Sequence, residues 1–104
     1  MSTMPDYRGW IVQATAGRDT GGPFCVVGVS QERKALLLAD GRRRRYAHPK
    51  LKDLSHVQLL TDGFDHPGIQ KLKQGEALSD KALRRALAAF RDQLEVMTLW
   101  QKTT

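Results

Sequence analysis

Residues 9–29 read GWIVQATAGRDTGGPFCVVGV, and this stretch decides the fold class. Its two ends, residues 10–14 and 24–29, are rich in apolar and β-branched side chains, which favours two short strands. Residues 15–23 between them hold three glycines and a proline, which predicts a loop. The stretch therefore reads as strand, loop and strand.

The sequence after this stretch predicts three more strands. Residues 35–39 form an apolar run, and Asp40-Gly41 is typical of a two-residue type I′ hairpin turn. The return strand is then expected over 42–47, ended by Pro49, and a last strand over 57–60. Five short strands in about 50 residues favour a small β-barrel, because closure leaves no exposed edges. The barrel is predicted over residues 9–60, after a flexible N-terminus at residues 1–8.

The period of apolar residues changes after a breaker-rich linker at residues 61–68, and residues 69–100 are predicted to form a helical extension. A short helix with Ile69 and Leu72 on one face is expected to end near Gly75. Ser79 is expected to cap a longer helix. This helix carries an apolar stripe, formed by Leu83, Ala86, Leu87, Phe90, Leu94 and Met97. The stripe packs either on the barrel or on a partner chain, and the sequence leaves both open.

The composition indicates a soluble, basic chain of one domain. It has 104 residues and a net charge of +6. Six cations fall in residues 42–52 with no acid among them, which points to a polyanion, most commonly nucleic acid. No apolar run suits a membrane span, no secretory signal is recognised at the start, and the only cysteine is Cys25. We therefore expect a cytoplasmic protein with no membrane partner.

The order of these segments resembles a known family. Residues 9–29 resemble a KOW motif, which recurs in large-subunit ribosomal proteins and transcription elongation factors. With Asp40-Gly41, the basic stretch to Lys52, residues 56–60 and residues 78–87, the chain resembles small bacterial KOW-domain RNA-binding proteins. The likeness covers roughly residues 8–90. It implies a five-stranded SH3-like barrel, binding to structured RNA that is most plausibly ribosomal, and a role linked to the ribosome or translation.

The basic stretch and the first loop supply the predicted RNA-binding residues. Arginine suits phosphate because its planar guanidinium donates two parallel hydrogen bonds, and aromatic rings can stack on unpaired bases. For Tyr46, packing against the barrel is an equal alternative. The predicted RNA-binding residues are Arg18, Arg42, Arg43, Arg44, Arg45, Tyr46, His48, Lys50 and Lys52.

The sequence favours no catalytic chemistry, and we expect neither enzymatic activity nor a metal or other cofactor. Cys25 lies in an apolar strand, which is typical of a structural thiol. His48, His56 and His66 have no metal-ligand spacing. DNA binding is less favoured, because no helix has a purely basic face. The alternative function is a protein-interaction module that docks on the ribosome or RNA polymerase through the barrel or the helical stripe. The sequence does not indicate an oligomeric state.

Overall fold

The computed structural model describes residues 4–17, 21–62 and 65–102, with side chains described as far as residue 96. Within these residues it contains five strands and two α-helices. The strands are β1 (Ile11–Ala14), β2 (Gly21–Ser30), β3 (Ala35–Ala39), β4 (Lys50–Asp53) and β5 (Val57–Thr61). The helices are α1 (Pro67–Lys73) and α2 (Asp80–Lys102), and a 3₁₀ turn, Leu54–His56, joins β4 to β5. A strand-rich chain with a helical extension is therefore confirmed.

All five strands form one antiparallel sheet in the order β4-β3-β2-β1-β5. β4 and β5 are its opposite edges, yet only residues 54–56 separate them along the chain. A flat sheet of five strands would hold its edges roughly 19 Å apart, at about 4.8 Å per spacing. The four steps from Asp53 to Val57 reach at most about 14 Å. The sheet must therefore curl strongly, although no pairing between β4 and β5 closes it in the part of the chain that the structure describes.

Both faces of the curled sheet are buried. Side chains alternate along a strand, so Phe24 and Val26 of β2 point to one face and Cys25 to the other. Leu54 and Val57 lie where the chain passes from one edge of the sheet to the other, and both pack on the same cluster. The face that carries this cluster is therefore the concave face. That cluster is formed by Val12, Ala14, Phe24, Val26, Leu36 and Leu38. On the convex face, the sheet packs against the helical extension through Ile11, Cys25, Ala39, Ile69, Leu72, Leu78, Leu83, Ala86, Leu87 and Phe90.

Among the side chains that the structure describes, the helical stripe packs on the sheet as far as Phe90. The stripe residues of α2 from Leu83 to Phe90 are buried, whereas Leu94 is 47% exposed. Met97, predicted to continue the stripe, lies outside the described side chains. The predicted cap is confirmed, because the Ser79 hydroxyl accepts the Ala82 N–H at 3.1 Å. α1 begins at Pro67 rather than Ile69, since His66 caps it and proline is favoured at the first helical position.

Two predictions about the strands are wrong. Residues 42–47 are not the return strand; they belong to a loop, and β4 pairs with β3 only from Lys50 onwards. The loop predicted over residues 15–23 is shorter than expected, because β2 already begins at Gly21, which pairs with Ala14 beside a β-bulge. Both errors lie at strand ends that contain glycine or charged residues. These residues are weak strand formers, so the sequence does not show where the strand begins.

Candidate nucleic-acid interface

The four consecutive arginines lie in the β3–β4 loop, which is ordered by Asp40. The Asp40 carboxylate accepts the backbone N–H groups of Arg42 at 2.9 Å and Arg44 at 3.0 Å. The backbone N–H of Asp40 in turn donates to the Arg44 carbonyl at 2.9 Å. These bonds close a wider loop than the type I′ turn predicted from Asp40-Gly41, which is therefore wrong. Asp favours such local bonds to the following N–H groups.

The loop is also fastened to the start of α2. The Arg84 guanidinium donates to the Gly41 carbonyl at 2.8 Å, and the Asp80 carboxylate accepts the Tyr46 N–H at 2.8 Å. Asp80 and Arg84, four residues apart on the helix, thus bond to the loop rather than to each other. Because α2 itself packs on the sheet, the loop has a fixed place relative to the core.

A polar cleft of about 210 Å³ opens beside this loop. Its cations come from two elements: Arg43 and Arg44 from the loop, and Arg91 from the middle of α2. The remaining lining residues are Gly22, Pro23, Phe24 and Asp40. The one carboxylate among them, Asp40, already accepts the two loop N–H groups. Three guanidinium groups therefore line a cleft that suits a small, multiply charged anion.

Sequence reasoning missed Arg91. Arg91 lies 46 residues beyond Arg45, on a helix that also carries Asp92 and Glu95, so its charge looks balanced in the sequence. Helical spacing does carry a signal: Arg84 and Arg91 are seven residues apart and share one flank of α2. Arg84 contacts the loop directly, which places that flank against the arginines.

The two stems of the β1–β2 loop lie close to the predicted basic residues. On one side, Gly22 lines the arginine cleft. On the other, a side-chain carbon added at Gly17 would lie 2.7 Å from the Lys52 Nζ. The structure therefore places one stem of the first loop beside the arginine loop and the other beside β4. Arg18, between these stems, lies outside the described residues.

The predicted binding residues differ in exposure. Arg42, Arg43, Arg45 and His48 are exposed, and Arg44 is half-buried. Lys50 and Lys52 pair with Leu38 and Leu36, so they share the concave face at the edge of the sheet. Lys52 is only 9% exposed, so it offers far less surface to a ligand than the arginines do.

The aromatic residues serve mainly in packing. Tyr46 is half-buried against the convex-face cluster, which agrees with the packing alternative. Trp10 packs on the concave-face cluster and meets Tyr7 edge to face, with ring centroids 5.2 Å apart. Cys25 is buried, and this burial, followed by the charge of Asp40, raises the pKa of its thiol to about 12. His48 is the predicted stacking residue whose surface remains open.

Comparisons with family models and with curated proteins identify no relative. No family model matches the chain, and no curated protein matches it at a significant level. Among the described residues, no three His, Cys, Asp or Glu side chains are placed to hold a metal ion together. Within the same residues, no helix is both long enough and apolar enough to cross a membrane.

Proposed function

We propose that this chain is an RNA-binding protein that grips the phosphates of structured RNA, and that its curled sheet is an SH3-like barrel of the KOW type. The observation that carries the proposal is the meeting of Arg43, Arg44 and Arg91 around one cleft, beside a stem of the first loop. The order of strands, with a 3₁₀ turn between the two edges, agrees with a barrel that is nearly closed.

The electrostatics of the arginine loop favour a bound anion. Arg42, Arg43 and Arg45 form no ion pair and no side-chain hydrogen bond with any described residue. Four consecutive cations repel one another, and the negative charge of a bound polyanion offsets that repulsion. Binding also releases the counterions condensed on the polyanion, which favours the complex. Holding such a loop rigid through Asp40 and α2 reduces the ordering cost of binding.

The proposed contacts favour RNA phosphates over base edges of a duplex. The exposed face of α2 carries Asp92 and Glu95 beside Arg91, so the helix lacks the purely basic face of a DNA-recognition helix. Arginine contacts to phosphate fix register and carry little sequence information. We therefore infer a binding protein with modest base specificity and no catalytic role. The KOW resemblance suggests ribosomal RNA as the target and a role linked to translation.

The direct test is binding of an RNA hairpin over a range of salt concentrations. If the patch makes about five phosphate contacts, the log–log slope of affinity against salt should lie near −4 to −5. The variant Arg42→Gln/Arg43→Gln/Arg44→Gln/Arg45→Gln should lose most of this slope. Arg33→Gln/Lys34→Gln is the control, because this exposed turn lies at the opposite end of β2 and β3. A flat slope for the unaltered protein would refute phosphate binding.

The ribosomal assignment has a separate test. The tagged protein should comigrate with large ribosomal subunits from its own cell extract at low salt, and the four-arginine variant should not. Protein that stays at the top of the gradient, while still binding the hairpin, would point to another RNA.

A further inference from the structure

A second cleft lies between the two helices, away from the arginine loop. It has a volume of about 340 Å³, within the roughly 300–1,000 Å³ that small-molecule sites occupy, whereas the arginine cleft is below that range. Its lining joins the start of α1 to the first turns of α2. The residues are His66, Pro67, Gly68, Lys71, Leu78, Ser79, Lys81, Ala82 and Arg85.

The charge of this cleft is entirely positive. Lys71, Lys81 and Arg85 line it, and no carboxylate does. None of these three side chains forms an ion pair or a hydrogen bond with another residue that the structure describes. The nearest acid along α2, Asp80, is bonded to the Tyr46 N–H in the arginine loop. The cleft can therefore accept the charge of a phosphate.

The same cleft also offers apolar surface and a ring. Pro67, Leu78 and Ala82 contribute apolar surface. The His66 ring is held in place, because its Nδ1 accepts the Gly68 N–H at 3.1 Å. Imidazole rings are among the surfaces on which unpaired RNA bases stack. A cation cluster next to a fixed ring and apolar side chains matches a nucleotide better than a bare phosphate.

The two clefts meet α2 at different points along its axis: the α1–α2 cleft reaches as far as Arg85, and the arginine cleft meets the helix at Arg91, about 9 Å further along. Lys81 and Arg85, four residues apart, lie on one side of the helix, and Arg84 and Arg91, seven apart, lie on another. An α-helix with its side chains is about 10–12 Å across, so a single RNA can reach both sides.

We propose that the α1–α2 cleft holds one unpaired nucleotide of the RNA whose phosphates the arginine loop grips, an inference that rests on the proposed function. Lys81 and Arg85 bind its phosphate, and His66 stacks on its base. RNA with an unpaired end or loop is then preferred over a blunt duplex.

The test compares a blunt RNA duplex, which has no unpaired nucleotide, with the same duplex carrying a three-nucleotide 3′ overhang. His66→Asn removes the ring but keeps a side chain that can cap α1. It should weaken binding of the overhang RNA about tenfold, the reduction expected for one stacked base, and leave binding of the blunt duplex unchanged. Lys81→Gln/Arg85→Gln should lower the salt slope for the overhang RNA by about 0.7 for each phosphate that is no longer bound. Arg33→Gln/Lys34→Gln removes the same charge elsewhere and should bind both RNAs like the unaltered protein.

The outcomes separate this inference from the proposed function. Equal binding of both RNAs by the unaltered protein, or equal weakening for both RNAs in the cleft variants, would overturn the nucleotide site and leave phosphate binding intact.

If the unaltered protein binds neither RNA, the proposed function fails. Separate NMR titrations with adenosine monophosphate and with inorganic phosphate then test whether the α1–α2 cleft binds a nucleotide. Shifts at the Gly68 and Ala82 amides with the nucleotide alone would support a nucleotide site, and no shifts with either would overturn it.

Discussion

Replacing Gly41 by alanine should detach the arginine loop from α2 without removing any charge. Gly41 has a φ of +78°, a left-handed conformation, and a side-chain carbon there would collide with the Asp80 carbonyl oxygen. That obstacle is helix backbone, which cannot rotate away. The loop must therefore move, and the Arg84–Gly41 and Tyr46–Asp80 hydrogen bonds should break with it.

The size of the effect follows from these interactions. A left-handed alanine costs about 1–2 kcal/mol, and each broken hydrogen bond costs about 0.5–3 kcal/mol, with the carboxylate bond at the upper end. We expect the free energy of unfolding to fall by roughly 2–8 kcal/mol, a large share of the ~5–15 kcal/mol typical of a domain. RNA affinity should also fall, because the arginines no longer meet Arg91 at the cleft.

Gly75→Ala is the matched control. Gly75 has a similar φ of +84°, but a carbon added there would meet only the Arg8 guanidinium, 3.0 Å away, at the end of a flexible side chain. It should cost about 1–2 kcal/mol and leave RNA binding unchanged. Urea unfolding and hairpin binding, both well below the melting temperature, would measure the difference. Equal effects of the two variants in both assays would refute the idea that α2 positions the loop.

Three further predictions concern single residues. Arg91→Gln should lower the salt slope of hairpin binding by about 0.7–0.9, the value for one phosphate, and an unchanged slope would remove α2 from the interface. Ser79→Ala should lower the free energy of unfolding in urea by about 0.5–2 kcal/mol, because the Ala82 N–H loses its cap, and an unchanged stability would contradict that role. The Cys25 thiol should resist a thiol reagent at pH 8 until urea unfolds the chain, since burial raises its pKa to about 12. Stability should therefore fall as pH rises above about 8.5, where the unfolded thiol loses its proton and the folded one keeps it. A flat stability profile from pH 8 to 10 would contradict this.

The sequence predicted the elements of the fold better than their boundaries. β1 and β3 follow apolar runs, and Ser79 marks the start of α2 by its side-chain chemistry. The strand predicted over residues 42–47 is a loop, because the Asp40 carboxylate accepts the N–H groups of Arg42 and Arg44. The rule that predicts a two-residue turn from Asp-Gly does not take such side-chain hydrogen bonds into account. Pro67 reads as a breaker in the sequence, although proline also favours the first turn of a helix.

The sequence predicted only the part of the candidate site whose residues are neighbours along the chain. Neighbouring cations such as Arg43 and Arg44 are visible in the sequence as a one-sign cluster. Arg91 and His66 are not, because only the packing of α2 on the sheet and of α1 on α2 brings them to a cleft. Lys52 shows the converse: it belongs to the basic cluster in sequence, yet its place on β4 buries it.

The measurement that tests the proposed interface most directly is an NMR titration of the labelled protein with an RNA hairpin. Binding at the arginine loop predicts that the largest amide shifts fall on Gly17, on residues 21–24 and 40–48, and around Arg91. Shifts confined to residues 92–96, an exposed stretch of α2, or spread evenly over the surface, would contradict it.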